Sequence, residues 1–333
     1  MRIAVSGSIA TDHLAVFPGR FRDQLLAQQV DHVSLSFLVD DLEVRRGGVA
    51  ANVALGLGRL GDTPLLVGAV GTDFADYEVW LKEHGVDTAA VRVSPAQHTA
   101  RFMCTTDTDQ NQIATFYVGA MTEATEIDLL TIAHRHGPFD LVLIGPNAPE
   151  AMLRHTRDCR TGNIPFAADP SQQLARLNGS EARELVDGAR YLFTNEYEAA
   201  LLMERTGWSR DQVLARVGTW LTTLGADGVR IEQARTDAVH HPAVPTRNAT
   251  DPTGVGDAFR AGFLAATGWG TDSTAAAALG CALATVVLEA KGSQEYELHA
   301  ADLLGRIADT YGKPVALSLT PHLSHIRREG DQR

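Results

Sequence analysis

A chain of 333 residues is long enough for one large domain with a smaller appendage, or for two domains. Its composition, 44% apolar and 21% charged, is that of an ordinary globular protein. The net charge is −12 and no long basic stripe occurs, which excludes the electrostatic pattern of a nucleic-acid-binding protein. A protein of this charge that binds anionic phosphates needs local hydrogen-bond donors in its site.

The cysteines and the apolar stretches indicate the compartment. Cys104, Cys159 and Cys281 are far apart and form no CxxC motif, so we expect free thiols in a reducing cytoplasm. The first residues, MRIAVSGSIATDH, lack the features of a secretory signal peptide. The longest apolar stretch, 274–288, is mostly alanine and too short to cross a bilayer. We therefore expect a cytoplasmic protein without a membrane partner, in which this stretch is a buried helix.

Short apolar runs recur along the chain without alternation. We predict that they are strands buried on both faces: RIAVSG, PLLVGAV, DLVLIGP, IPFAADP, RYLFTN and WLTTLG. Helical patterns lie between them, at 50–60, 74–84, 180–189, 196–206 and 209–217, the last with the capping-box spacing of Ser209 and Gln212. Because strands and helices alternate from about residue 139 onward, the predicted class is α/β, with a mainly parallel sheet and helices on both faces.

Two segments, 13–46 and 97–120, instead alternate apolar and polar residues, as half-exposed antiparallel strands do. We predict that they form a small β-sheet lid that excludes water from a reaction. The catalytic domain then comprises three stretches: 1–12, 47–96 and 121–320. An exposed edge or face of the lid suits a homodimer formed through it. The polar end, 321–333, contains Pro321 and is predicted to be a loose tail.

The segment GLGRLG, residues 56–61, matches the dinucleotide fingerprint GxGxxG but follows a helical pattern and precedes a strand, which is the reverse of the order that the fingerprint needs. We interpret its small residues as sites of close helix packing. No GxxxxGK[ST] motif occurs, so a P-loop kinase is excluded at the motif level.

The stretch DPTGVGDAF, residues 251–259, places two glycines in a turn just before a helical pattern. The first N–H groups of a helix lack partners and, with the helix dipole, form an anion site that needs no lysine. Asp257 could merely cap this helix. Alternatively, it could accept a proton from an attacking hydroxyl while the N–H groups stabilise a transferred phosphoryl group.

Two signatures carry a family resemblance. DPTGVGDAFRAGF resembles the C-terminal signature of the ribokinase-like (PfkB) family of sugar and nucleoside kinases, and GGVAANVALGLGRLG, residues 47–61, resembles its N-terminal signature. The resemblance covers nearly the whole chain and implies the ribokinase-like three-layer α/β/α fold. It includes GSIATDH at 7–13 as a substrate-binding turn, NEYE at 195–198 as the NxxE element, and TTLGADGV at 222–229 as a nucleotide-binding strand and turn.

The resemblance implies roles for the matching residues. Asp257 is the expected general base, and an anion hole is expected from the N–H groups of Gly254, Val255 and Gly256. Glu198 is expected to hold Mg²⁺ through water, as a hard cation prefers. The residues expected along the co-substrate ATP are Asn195, Thr223, Gly225, Gly228 and Gly256. Asn195 and Glu198 could instead form a helix start, and the glycines could be ordinary turn residues.

Asp251 and the carbonyl oxygen of Thr253 are similar to a monovalent-cation site found in part of the family, so K⁺ is a further expected cofactor. The remaining ligands of such a site are backbone carbonyls, which a sequence does not identify.

Polar residues near the first strand indicate the acceptor. Asp12 follows a strand and a turn, where open α/β sheets bind ligands, and its carboxylate could accept two hydrogen bonds from the vicinal diol of a ribose or furanose. Ser8 lies in the same turn, and Asn52 and the backbone at Gly48 could donate to sugar oxygens. Asp12 could also be a turn residue, and Asn52 a polar residue at a helix start. Sugar kinases of the family often carry GGKGAN where this chain has GGVAAN, which weighs against a plain ribokinase.

Aromatic and amide side chains favour a nucleoside. Phe102 and Phe116 of the predicted lid could anchor the lid, or stack on a flat base, which sugars lack. The stretch DPSQQLARL supplies three polar side chains just after a strand: Gln172, Gln173 and Arg176. A glutamine can bind an adenine edge with a donor and an acceptor together. With GSIATDH and SLSFLVDDL, this stretch resembles bacterial adenosine kinases of the actinobacterial type.

The function implied is transfer of a phosphoryl group from ATP to the 5′-hydroxyl of adenosine, giving AMP and ADP. Two alternatives stay open. One is a ribokinase-like kinase of a sugar or another nucleoside, and the other is a nucleotide-binding scaffold that has lost the reaction. Asp257, Glu198 and the glycines of the turn argue against the scaffold, which does not need them.

Overall fold

Two β-sheets organise the molecule, and the computed structural model describes residues 1–24 and 36–326 of it. In chain order the strands are β1 (Ile3–Ser6), β2 (Ala10–Val16), β3 (Asp41–Gly47), β4 (Leu65–Gly71), β5 (Asp87–Ser94), β6 (Ala100–Thr106), β7 (Gln112–Tyr117), β8 (Leu141–Ile144), β9 (Phe166–Ala168), β10 (Tyr191–Asn195), β11 (Thr219–Thr223), β12 (Val229–Glu232) and β13 (Val239–His241). The main sheet has the order β13-β12-β11-β10-β9-β8-β1-β4-β5, and the lid sheet has the order β3-β2-β6-β7.

The main sheet is parallel from β5 to β11, and β12 and β13 are added antiparallel at one edge. Its central strands are apolar on both faces; for example, every residue of β1, β4 and β8 is buried. Strands of this composition need cover on both sides. The prediction of a mainly parallel sheet from the unalternating apolar runs is confirmed.

Helices supply that cover. They are α1 (Phe21–Gln24), α2 (Val49–Arg59), α3 (Ala75–Glu83), α4 (Leu129–His136), α5 (Pro149–Thr161), α6 (Gly179–Val186), α7 (Glu196–Thr206), α8 (Arg210–Leu214), α9 (Val255–Gly268), α10 (Ser273–Glu289), α11 (Ala300–Tyr311) and α12 (Lys313–Leu323). One hydrophobic core lies between the sheet and α2, α3 and α9–α12, and a second lies between the opposite face and α4–α8. The three-layer α/β/α class is confirmed.

The alanine-rich stretch 274–288 forms the middle of α10, a buried helix packed against α9, as predicted. In the described part of the chain, no helix combines the length and the hydropathy that crossing a bilayer requires. The GLGRLG segment begins in the last turn of α2, where a Cβ on Gly56 would be 2.6 Å from the Cβ of Ala261 on α9. Its small residues therefore serve helix packing, as predicted.

The lid sheet differs from the prediction in two ways. β2 begins at Ala10, so Asp12 lies inside a lid strand and the boundary predicted between 12 and 13 is wrong. β2 and β6 pair in parallel, whereas only antiparallel pairing was predicted. Both strands continue from parallel strands of the main sheet, β1 and β5, and therefore leave it in the same direction. Residues 25–35, predicted as part of the lid, lie outside the described residues.

The predicted loose tail is partly helical. α12 ends at Leu323 and has Pro321 inside it, so the prediction of an aperiodic end from residue 321 is wrong. Leu319 and Leu323 are buried because their spacing places them on one face of the helix, against the core, and Ile326, just beyond the helix, is buried there too. Residues 327–333 lie outside the described residues.

Candidate active site

Two cavities lie on either side of the N-terminus of α9, and the first of them lies beneath the lid. The first, of about 500 Å³, is lined by ten of the residues predicted for catalysis, the anion hole or acceptor binding: Ser8, Asp12, Gly48, Asn52, Phe116, Gln172, Gln173, Arg176, Gly254 and Asp257. The second, of about 700 Å³, is lined by Thr223, Gly225, Gly228, Val255 and Gly256, all predicted for ATP or the anion hole. The turn before α9 thus separates a cavity suited to an acceptor from one suited to a donor.

The second cavity also has an apolar wall that the sequence patterns did not identify. Val244 and Pro245 form one part of it, and Ala284 and Leu288 of α10 form another. An apolar wall favours contact with a flat base over contact with charged phosphates. The signal in the sequence was weak, because the alanines of α10 look like ordinary core residues.

Helix α9 begins at Val255, with Gly254 as its N-cap. Gly254 has a φ of 77°, and a Cβ there would lie 2.5 Å from the Cβ of Ser293, so glycine is required on both counts. No side chain among residues 1–24 and 36–326 makes a hydrogen bond that caps this helix. Asp257 is the third helical residue rather than the N-cap, and the alternative of a mere capping role is wrong. The N–H of Val255 makes a long contact, 3.4 Å, with the carbonyl oxygen of Pro252.

The carboxylate of Asp257 faces the first cavity and accepts a hydrogen bond of 2.8 Å at Oδ2 from Nδ2 of Asn52. Burial raises the pKa of Asp257 to about 6, against the lowering effects of Arg260 and of the Asn52 hydrogen bond, while Glu198 adds to the rise. A carboxyl group with a pKa near 6 is ionised at neutral pH and is a stronger base than an exposed aspartate. The site is therefore suited to general base catalysis.

Arg260 and Asp169 lie beside Asp257, and the sequence patterns gave neither a role. The guanidinium Nη2 donates to Asp169 Oδ1 at 2.6 Å, and Nε lies 2.6 Å from Oδ2. Burial lowers the pKa of Arg260, but the carboxylates of Asp169 and Asp257 outweigh it and raise the pKa overall. The spacing of Asp257 and Arg260 on one helix was the available signal.

Asn195 and Glu198 form a capping box at the start of α7. Asn195 Oδ1 accepts from the N–H of Glu198, and Glu198 Oε2 accepts from the N–H of Asn195, each at 2.8 Å. The structure thus has the helix start that was the alternative role. Within the described part of the chain, Glu198 Oε1 makes only a 3.4 Å contact, with the hydroxyl of Ser171, and so retains capacity for a water ligand of Mg²⁺. Among the described residues, no group of three or more His, Cys, Asp or Glu side chains could hold a metal ion.

One cross-strand row of the lid contains the acceptor residues. Arg45, Asp12, Phe102 and Phe116 are register neighbours on β3, β2, β6 and β7. Such neighbours share one face of a sheet, and Asp12 and Phe116 line the first cavity, whereas Phe102 lies between them without lining it. Burial raises the pKa of Asp12, and the nearby Arg45 opposes the rise. The two glutamines and Arg176, in the turn after β9, also line this cavity.

The carboxylate expected to bind K⁺ is already engaged. Asp251 Oδ1 accepts from the N–H of Thr253 at 2.9 Å, and Oδ2 accepts from Arg45 Nη1 at 2.9 Å and from the N–H of Gly292 at 3.1 Å. The guanidinium supplies the positive charge that a monovalent cation would bring. The residues present at this carboxylate therefore do not fit a monovalent-cation site.

Comparison with known proteins agrees with this geometry. The model of the pfkB family carbohydrate kinases matches residues 15–300. The chain belongs to the PfkB family. This PfkB kinase is 31% identical over 250 residues to the nucleoside kinase of Methanocaldococcus jannaschii, covering 74% of this chain and 80% of the relative. It is 30% identical over 236 residues to the ribokinase of Bacillus subtilis, covering 69% and 76%.

Solved structures extend the match. The nucleoside kinase of Burkholderia thailandensis in complex with inosine has a TM-score of 0.80 and 33% identity, covering 93% of this chain and 98% of that chain. Its complex with ADP-inosine has a TM-score of 0.79 and 32% identity, covering 99% of each chain. The protein is therefore a kinase of the nucleoside and sugar branch of the PfkB family, with a ribokinase-like fold.

Proposed function

We propose that this PfkB kinase transfers the γ-phosphoryl group of ATP to the 5′-hydroxyl of adenosine, giving AMP and ADP. One observation carries the choice of a nucleoside. The cavity that holds Asp257 is lined by a carboxylate suited to a ribose diol, Asp12, by the lid aromatic Phe116 and by Gln172 and Gln173. A small sugar leaves the aromatic and amide side chains without a partner, whereas a purine can stack on one and hydrogen-bond to the others.

In this proposal Asp257 takes the proton of the 5′-hydroxyl as its oxygen attacks the γ-phosphorus in line. Asn52 holds Oδ2, so Oδ1 is the atom that receives the proton. The N–H groups of Gly254, Val255 and Gly256 stabilise the negative charge that develops on the transferred group. The lid covers the first cavity and excludes water, which limits hydrolysis of ATP.

Glu198 would hold Mg²⁺ through a bound water on Oε1, the oxygen whose contact with Ser171 is long, at 3.4 Å, while Oε2 accepts from the N–H of Asn195. When bound, the ion would neutralise part of the negative charge on the ATP phosphates. Thr223, Gly225 and Gly228 line the donor cavity and would lie along the nucleotide. Asn195 is part of the proposal through the capping box that orients Glu198.

A cytoplasmic homodimer formed through the lid is also part of the proposal. Leu42, Val44, Met103 and Ile113 lie on the lid face opposite the Asp12 row and are 59%, 56%, 39% and 44% exposed. A second copy could cover this apolar face. The three cysteines are buried and unpaired, which suits a reducing compartment. Light scattering of the wild type and of Val44→Asp tests the dimer. We expect the wild type to be a dimer and Val44→Asp to be a monomer. A monomeric wild type would refute the proposed dimer.

A coupled assay for ADP tests the reaction with adenosine, guanosine, inosine, ribose and fructose 6-phosphate as acceptors. We expect the highest kcat/KM with adenosine and 5′-AMP as the product identified by mass spectrometry. Higher kcat/KM with inosine, the ligand of the B. thailandensis relative, would favour another nucleoside. Turnover of a sugar alone would favour a ribokinase-like enzyme. No turnover with any acceptor, together with retained ATP binding, would favour the scaffold.

A further inference from the structure

Arg260 is a buried cation next to the proposed general base. It lies on α9, one turn after Asp257, and is only 7% exposed. An arginine buried to this degree carries a large desolvation penalty unless a partner compensates for it. Asp169, which is fully buried just after β9, is that partner and contacts the guanidinium through both carboxylate oxygens.

The guanidinium of Arg260 pairs with Asp169 through Nε and Nη2, and its third nitrogen, Nη1, lies beside the turn that forms the proposed anion hole. Asp169 contacts Nε and Nη2, and Nη1 donates no hydrogen bond among the described residues. A Cβ on Gly256 would lie 2.7 Å from Nη1, so the guanidinium is close to the backbone whose N–H groups form the proposed anion hole. The ring of Phe193, with its centroid 5.7 Å from the guanidinium carbon, restricts it further.

Arg260 is also the cation that balances a cluster of carboxylates. The charged and polar groups that act on Asp257 come from four elements: Arg260 on α9, Asn52 on α2, Glu198 on α7 and Asp169 after β9. Among the described residues, no lysine lines either cavity, and Arg176 is a cation in the lining of the first cavity. In a chain with a net charge of −12, an anionic substrate at this point needs a local positive charge.

We propose that Asp169 and Arg260 form a positioning pair for phosphoryl transfer. Asp169 fixes the guanidinium behind Gly256, where its charge keeps Asp257 available as a base and favours the anionic transferred group. The inference rests on the kinase reaction proposed above. Arg260 acts through Asp257 and the backbone of the turn, so it is a positioning residue rather than a catalytic one.

The pH profile of kcat/KM tests this role, with Arg260→Gln and Arg260→Lys as variants. Loss of the cation disfavours the ionised form of Asp257, so in Arg260→Gln the acidic limb is expected to move up by about one pH unit or more. At pH 7 kcat is expected to fall about 10- to 100-fold, with a smaller change in the KM for the nucleoside, and to recover partly at higher pH. Arg260→Lys keeps the charge, so the acidic limb of its pH profile is expected to lie close to that of the wild type. Its kcat is expected to be several-fold below that of the wild type.

Arg306→Gln is the matched control, because Arg306 has a side chain 9% exposed, like Arg260, and forms ion pairs with Glu289 and Asp302 of 2.8 and 2.7 Å. We expect it to lose thermal stability and to keep the wild-type limb. An Arg260→Gln enzyme with the wild-type limb would overturn the inference alone. If Arg260→Gln does not fold, Arg260→Lys replaces it as the test. A wild-type kcat of Arg260→Lys across the pH range would then overturn the positioning role of Arg260. A wild type inactive with every acceptor would overturn the proposed function, and the inference with it.

Discussion

The side-chain amide of Asn52 donates a 2.8 Å hydrogen bond from Nδ2 to Oδ2 of Asp257, and so joins two helices from opposite ends of the chain. Its Oδ1 accepts from the hydroxyl of Ser293 at 3.1 Å and from Nε2 of Gln294 at 2.8 Å. These two donors fix the orientation of the amide. The N-terminal signature therefore orients the carboxylate of the C-terminal signature.

Replacing Asn52 with leucine is expected to lower kcat/KM about 10- to 100-fold, because a hydrogen bond to a charged group is lost. The acidic limb of the pH profile is expected to move to higher pH, since that bond favours the ionised form of Asp257. Steady-state kinetics from pH 5 to 9 measure both effects. The control is Asn178→Ala, which removes the N-cap of α6 and should cost only stability. An unchanged acidic limb in Asn52→Leu would contradict the assignment.

The wild-type enzyme is expected to lose activity on acidification because Asp257 takes up a proton. Burial raises the pKa of Asp257 to about 6. Only the ionised form accepts a proton, so kcat/KM should be constant above about pH 7 and fall about tenfold per unit below pH 6. A profile measured with saturating ATP checks this. An acidic limb near pH 4 would mean that an ordinary exposed carboxylate controls the rate.

Asp257→Asn is expected to lower kcat about 10²- to 10⁴-fold while nucleotide binding persists. It should also raise thermal stability, and the sign follows from linkage. The folded-state pKa of about 6 lies above the ordinary value of 3.8, so ionisation of Asp257 destabilises the fold as the pH rises through this window. The gain in Tm should therefore be full above pH 6 and vanish towards pH 4.

Calorimetric titration with ADP and thermal scans at pH 4, 6 and 8 measure these effects. Near wild-type turnover of Asp257→Asn would exclude the residue as the base. A Tm gain that is equal at all three pH values would exclude the raised pKa as its cause.

Phe116→Ala and Phe102→Ala separate a nucleoside from a sugar acceptor. Loss of a stacked aromatic is expected to raise the KM for adenosine about 10- to 100-fold. The larger effect is expected at Phe116, which lines the cavity. Met103→Ala, on the opposite face of the lid, is the control and should keep the wild-type KM. If both phenylalanines only anchor the lid, their replacement will lower kcat for every acceptor equally.

Potassium is expected to have little effect on kcat, because Arg45 already neutralises Asp251. Arg45→Met removes that charge, and we expect a kcat about fivefold lower that K⁺ partly restores. Assays in tetramethylammonium and potassium salts of equal ionic strength measure the difference. Strong activation of the wild type by K⁺ would show that a cation binds despite the guanidinium.

The capping boxes show which contacts can be predicted from residues that are close together in the sequence. Asn195 with Glu198, and Ser209 with Gln212, both form the paired hydrogen bonds that their spacing allows. Their partners are three residues apart, so the distance between them is set by helix geometry alone. The buried helix α10 and the parallel strands were predictable for a similar reason, since apolar composition within one segment decides burial.

The errors concern relationships between distant segments. The Asp169–Arg260 pair joins residues 91 positions apart, and no periodicity links them. The parallel pairing of β2 with β6 depends on where β1 and β5 lie in the main sheet, which a local alternation of apolar residues does not encode. The end of α12 was misjudged because Leu323 is buried by the core of another part of the chain.

The sequence by itself determined the fold class, the family signatures and many of the residues that line the two cavities, because each depends on residue types at short spacing. The tertiary structure alone decided which of them touch: that Asn52 binds Asp257, that Arg45 engages the carboxylate expected for K⁺, and that Asp169 holds Arg260 behind Gly256. Each contact depends on how strands and helices are arranged in three dimensions. That arrangement results from burial across the whole chain, so no short stretch of sequence specifies it.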